Sequence, residues 1–245
     1  MTRPFDRLRD DLFTAVASVA APVVLVEIPG DHPVADLIRA LERAQFPDVE
    51  AFLTDEVESR CRFLAVVDRS GPEPALAFAT RVSSPRFGPT PPRPDETGLP
   101  MLDEVLAVNE GIDAPALVAH YGQRGVDVAR CVAVETNFRL APTRDAPTGL
   151  RWSDHAYVGV FDLLMEGPPG GKGVFAHANE ATVRSLGAID LTFEAVMGRP
   201  DLVSPAAQQG EADDRYAPGY IDLTEHSRRV FRQLEPLSAP KVVLA

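Results

Sequence analysis

Three arginines fall within fifteen residues of one another in the stretch "RCVAVETNFRLAPTR": Arg130, Arg139 and Arg144. A guanidinium presents a planar fork of donors that matches phosphate and carboxylate oxygens. The apolar run around them spans Val126 to Val134 and reads as a strand that stops at Val134. A helix is expected from Trp152 to Met165, with Tyr157, Val160, Phe161 and Leu164 on one face. Arg139 and Arg144 therefore sit in a strand-to-helix connection. The start of a helix offers free backbone N–H groups and is a natural phosphate site. The competing reading makes Arg139 a solvated loop residue.

Other residues invite chemistry less strongly. Cys61 and Cys131 lie in apolar surroundings and are expected as reduced core thiols. Arg130 beside Cys131 leaves a nucleophilic thiol as a further reading. No Cys or His spacing supports a metal site. His155 and His177 are the central histidines, and His177 alternates with Phe175 on an expected strand. "GPPGGKG" is not a phosphate loop: Glu166 stands where the first glycine belongs, Gly173 replaces Ser or Thr, and the order is helix then strand. It reads as a flexible connection. "DDRYAPGYIDLTEH" has no metal-loop spacing.

The chain has 245 residues, 45% of them hydrophobic, which is ample for a substantial core. A formal net charge of −12 argues against a general nucleic-acid binder. Leu12 to Val26 is apolar but preceded by Asp6, Asp10 and Asp11 and split by Pro22, so neither an export signal nor a membrane span is expected. A cytoplasmic location follows as an expectation.

Along the chain we expect a helix over 6–20, a strand over 23–28 and an amphipathic helix from Val34. A short helix is expected over 48–58, then strands over 62–68 and 74–82 forming a hairpin. A Pro- and Gly-rich loop over 83–98 leads to helices over 102–109 and 114–121. After the Trp152 helix come the strand "VFAHA", a helix capped by Asn179 and ended by Gly187, the strand "AIDLTFEAVMG" and a helix over 224–234. A mixed sheet covered by helices packs this order.

The order resembles the GCN5-related N-acetyltransferase fold. "RCVAVETNFR" is similar to that family's strand-and-turn pattern R-L-A-V-x-P-x-Y-R, with Arg130, Val132, Ala133, Val134, Phe138 and Arg139 in register. "VFAHANEATVRSLGAI" resembles its later strand and helix, and "TDEVESRCRFLAVVD" with "LAFATRVSSP" resembles the acyl-homoserine-lactone synthase and N-acyl amino acid synthase branch. The resemblance spans about residues 23–197. It implies an α/β (α+β) GNAT-like domain over 1–245, with a mixed central β-sheet flanked by helices. The core would cover 21–200, a long insertion would precede the fourth strand, and 201–245 would be a C-terminal extension.

That resemblance also implies an activity and its residues. The chain would be an N-acyltransferase, moving an acyl group from acyl-CoA or an acyl carrier protein to the amine of a small metabolite or amino acid. The donor arm would be phosphopantetheine, held by Val134, Arg139, Arg144 and Gly149, with no metal. Glu135 would serve as base through water, Tyr157, His155 or water would protonate the leaving thiolate unless no acid is needed, and His177 would be a further catalytic candidate facing the site. Arg81, Arg130 and Trp152 would contact substrate, the two arginines either holding an acceptor carboxylate or the Asp55/Glu56 pair. Two departures stand out: the segment after Arg139 lacks the family's Gly-x-Gly turn, and no tyrosine lies between Asn179 and Gly187. Both would suit a non-catalytic GNAT-like protein that binds a ligand or partner. Neither the acyl chain nor the oligomeric state can be read.

Overall fold

The computed structural model describes residues 4–46, 58–166, 171–188, 190–203, 216–234 and 239–245. Its strands are β1 (Val23–Pro29), β2 (Cys61–Asp68), β3 (Ala75–Ser83), β4 (Val132–Arg139), β5 (Gly173–Ala178), β6 (Glu194–Ala195), β7 (Ala217–Asp222) and β8 (Lys241–Val243). The helices are α1 (Pro4–Val16), α2 (Ala35–Gln45), α3 (Pro100–Val108), α4 (Ala114–Gln123), α5 (Trp152–Met165), α6 (Glu180–Gly187) and α7 (Glu225–Leu234). The strands form one mixed sheet in the order β6-β7-β5-β4-β3-β2-β1-β8. The expected α/β architecture is therefore present.

Two compact units divide the chain. The first takes residues 1–82, 136–162 and 235–245. Here β1 pairs antiparallel with β2 and parallel with β8, with Val26 opposite Ala65 and Val242. Every residue from Val23 to Ile28 is buried, as its β-branched run requires. Val24, Val26 and Ile28 pack with Leu12 and Val16 of α1 and Leu37 and Ile38 of α2. Leu25, on the other face, meets α5: a Cβ on Gly159 would stand 2.6 Å from Leu25 Cδ2. Glycine lets that helix approach the sheet. Glu27, 2% exposed, is held between its strand neighbours by Arg62 and by Lys241 Nζ at 3.2 Å.

The second unit takes residues 83–135 and 163–234. Here β4 runs parallel to β5, and β5 antiparallel to β7, with Phe175 opposite both Ala133 and Tyr220. Tyr121, Phe175 and Tyr220 stack with centroids 4.8–5.1 Å apart, within favourable aromatic range. Leu102, Val105 and Leu117 from α3 and α4 complete this core.

Several expected boundaries move. The strand read over Val126–Val134 begins only at Val132, after a short 3-10 turn over Val128–Arg130, and continues to Arg139. Its polar second half stays extended because Glu135 and Thr136 find partners there (below). "AIDLTFEAVMG" supplies only the two residues of β6, and a left-handed Met197 follows. β7 and β8 were not expected. The helix read over 48–58 and the Asp55/Glu56 pair lie outside the described residues, apart from Glu58, which is helical.

Gly173 gives a stability test. A Cβ there would stand 2.1 Å from Cε2 of Tyr220, which is fully buried and cannot swing away. Gly173→Ala should overpack this core and cost about 1–3 kcal/mol, read as a lower urea midpoint with an unchanged m-value.

Candidate functional site

The centre of the site is the place where β4 and β5 part. Their ladder runs Val132–Val174, Ala133–Phe175 and Val134–Ala176 and ends there, although β4 continues to Arg139 and β5 to Ala178. Beyond that point β5 keeps only its other partner, with His177 opposite Pro218 of β7. Val134 is buried at the fork, and Glu135 and His177 each follow the last residue that β4 and β5 pair with one another. The Ser83 hydroxyl donates to the Glu135 carboxylate, and Ser84 Oγ donates to the Cys131 carbonyl at 2.8 Å. His177 is half-buried, and its Nε2 is closed off from solvent without a hydrogen bond. Burial pushes its pKa down to about 4, so the imidazole is neutral near pH 7.

Cys131 lies one residue before β4 and is fully buried. Burial pushes its thiol up to about 12, and Arg130 opposes that only weakly. A nucleophilic thiolate at Cys131 is thus disfavoured, and both cysteines are free thiols.

Further along β4, within the first unit, a buried polar network fixes the strand. The Thr136 hydroxyl donates to Glu42 of α2, whose Oε1 lies 3.4 Å from Arg81 Nε. Thr80 Oγ1 donates to the Thr136 carbonyl at 2.8 Å. Arg81 is thus engaged by Glu42, which the sequence reading missed. Its signal was an acid four residues after Ile38 on the apolar face of α2.

The connection from Arg139 to α5 is folded back by its own backbone. Leu140 and Ala141 both donate to the Ala77 carbonyl, at 2.8 and 2.9 Å. Ala146 N donates to Leu150 O at 2.7 Å, and Asp145 bridges Arg151. Gly149 turns the loop at φ 83°, a left-handed conformation suited to glycine. Trp152 N then donates to the Arg144 carbonyl at 3.3 Å, which brings Arg144 to the start of α5. The Arg139 and Arg144 residues are exposed, and among the described residues neither has an ion-pair partner.

The remaining expected residues fall as follows. Trp152 is buried at 2% exposure, its Nε1 without a hydrogen bond, and so anchors α5. His155 is buried beside it, with Nε2 2.9 Å from Thr148 Oγ1 and a pKa lowered by burial. Tyr157 is 38% exposed on the same helix. Arg130 lies in the 3-10 turn ahead of β4, with Nη1 3.9 Å from where a Cβ on Gly171 would stand. Lys172 was read as part of a flexible connection. It is buried, and its Nζ donates to the carbonyls of Leu164 and Glu166 at 2.9 and 2.6 Å, capping the end of α5. Among the described residues no cluster of His, Cys, Asp or Glu could hold a metal, and no helix is long and apolar enough to cross a membrane.

An eight-stranded mixed sheet in which β4 and β5 fork, with β4 running on into a strand-to-helix connection, defines a GNAT-like fold. Two solved structures share it. Both are of a CoA-dependent acyl-homoserine lactone synthase, BjaI, one with SAM and isopentyl-CoA and the other with MTA. Each aligns with TM-score 0.54 and 12% identity over 91% of this chain and 92% of that one. At this identity the likeness concerns the fold. No family model and no curated protein matches the sequence.

His177 predicts an acid-sensitive fold. Its pKa is lower folded than unfolded, so between about pH 4 and 6.5 the unfolded chain binds the extra proton. Stability should therefore rise with pH across that window and be lost on acidification, by about 2–3 kcal/mol. His177→Gln should flatten this slope in urea unfolding measured from pH 7 to 4.

Proposed function

We propose that the protein is an N-acyltransferase that moves an acyl group from an acyl thioester to the amine of a small metabolite or amino acid. The observation that carries this reading is the fork at Val134 and Ala176, on the strand that leads into the Arg139–Trp152 connection. A thioester donor ends in a phosphorylated pantetheine arm. Arg139, Arg144 and the N–H groups opening α5 would hold its phosphates. Backbone N–H groups released where β4 and β5 part would polarise the thioester carbonyl.

The chemistry needs no metal. The acceptor amine nitrogen attacks the carbonyl carbon and the C–S bond breaks. The amine proton passes to Glu135 through water, with Ser83 orienting the carboxylate. The thiolate takes a proton from Tyr157 or from solvent; His177, neutral near pH 7 and with Nε2 closed off, is a poor donor for this step. Arg81 and Arg130 remain candidates for the acceptor side, Trp152 for shaping the start of α5, and Val134 and Gly149 for main-chain contacts to the donor. Acyl-CoA is the favoured donor, because the structural neighbour is CoA-dependent; an acylated carrier protein is the second donor to test. That neighbour was solved with SAM, which carries an α-amino group, so SAM belongs among the acceptors tried together with free amino acids.

The test is thiol release from acyl-CoAs of increasing chain length, with pooled amine acceptors. Wild type should release thiol only when acceptor is present. Arg139→Gln with Arg144→Gln should raise the donor KM about 10- to 100-fold with a smaller effect on kcat. Glu135→Gln should lower kcat about 100-fold or more, with the loss smaller at high pH, where free amine is abundant. Donor binding without turnover for any acceptor would favour a ligand-binding protein of this fold. No donor binding at all would overturn the reading.

A further inference from the structure

Helix α7, "EHSRRVFRQL", carries Arg228, Arg229 and Arg232, and these line a cavity of about 340 Å³ with Leu223 and Glu225. The three guanidiniums have no carboxylate partner among the described residues, and Arg228 Nε is closed off from solvent without a hydrogen bond. Acids outnumber bases 36 to 24 in this chain. Some of its surface arginines take them as partners, Arg93 with Glu96, Arg184 with Glu180 and Arg199 with Asp201, whereas these three, like Arg139 and Arg144, do not among the described residues. Glu225 lines the same cavity, yet pairs with none of the three.

The surroundings add positive charge. Leu223 N donates to the Lys172 carbonyl at 3.1 Å, so the cavity wall is tied to Lys172. The Lys172 ammonium in turn feels Arg86, Arg130 and Arg228, and their repulsion adds to burial in lowering its pKa. Arg229 and Arg232 are exposed and Arg228 is half-buried with its Nε shut off from solvent, and a bound anion would neutralise the like charges gathered on this wall. One carboxylate would satisfy one guanidinium. Three on little more than one helical turn suit an anion with several oxygens and more than one charge. A concave volume of this size fits a small molecule, whereas a flat acidic protein surface needs no cavity.

We propose that the α7 cavity is a binding site for a phosphate-bearing small molecule, with Arg228, Arg229 and Arg232 as its phosphate ligands. This goes beyond the acyl-transfer reading and does not depend on it. The nucleotide end of a CoA thioester and a separate phosphorylated metabolite share the required chemistry.

The test is calorimetric titration of the full chain with inorganic pyrophosphate at low ionic strength. Wild type should bind at the α7 cavity. Arg228→Gln with Arg232→Gln should weaken binding about tenfold or more, and Arg184→Gln, an exposed arginine of α6 paired with Glu180, should leave it unchanged. Arg232 is exposed, so Arg232→Gln alone, checked by circular dichroism, guards against a folding artefact and should still weaken binding measurably. No binding to wild type, or equal binding to the α7 variants, would overturn the proposal. Repeating the titration with saturating CoA separates the sources. Loss of pyrophosphate binding assigns the site to the donor nucleotide, and undiminished binding assigns it to a separate phosphorylated molecule.

Discussion

A buried carboxylate organises the first unit. Glu42, 1% exposed, projects from α2 among the apolar residues that pack on β1 and β2. An isolated ion there would cost several kcal/mol. It is tolerated because Arg81 brings a guanidinium from β3 and Thr136 a hydroxyl from β4. Those partners come from segments far apart in sequence, so the charge is satisfied in one arrangement of helix and strands only. A one-residue slip of β4 would turn Thr136 to the other face and strand the carboxylate. Within this unit, Arg139 and the connection to α5 inherit their position from that register.

The same network explains where sequence reasoning stopped short. Periodicity made α2, β1, β2, α5 and the Asn179-capped α6 legible, because their apolar faces repeat at helix or strand spacing and few residues interrupt them. It ended β4 at Val134, because Glu135, Thr136 and Asn137 look like a polar turn. The stretch remains strand because the partners of Glu135 and Thr136, Ser83 for the first and Glu42 and Thr80 for the second, lie more than fifty residues away. Polarity in a local window carries no trace of such partners. β7 was hidden by Pro218 and Gly219, which argue against a strand unless a neighbour covers it, and Tyr220 supplies the cover by stacking on Phe175. The three residues of β8 hold their place through the pairing of Lys241 with the buried Glu27, again a long-range interaction.

Of the candidate site, residue types were legible and geometry was not. Arginines in a strand-to-helix connection stood out in an acidic chain. The folding back of that connection did not, because it depends on backbone hydrogen bonds such as Trp152 N to Arg144 O. The fork between β4 and β5 is likewise a matter of which ladder pair comes last, and no side chain announces it.

The missing Gly-x-Gly turn therefore need not weaken the site. A glycine-rich turn brings a chain quickly from strand to helix by adopting conformations other residues avoid. The longer segment after Arg139 reaches the start of α5 differently: a bridge between Asp145 and Arg151, a hydrogen bond from Ala146 to Leu150, and one left-handed residue, Gly149. Length itself is cheap, since doubling a loop costs only about 0.6 kcal/mol of closure entropy. A handful of backbone hydrogen bonds offsets that. The added residues also carry Arg144, which a tight turn would have no room to place and whose carbonyl accepts from Trp152 N at the start of α5.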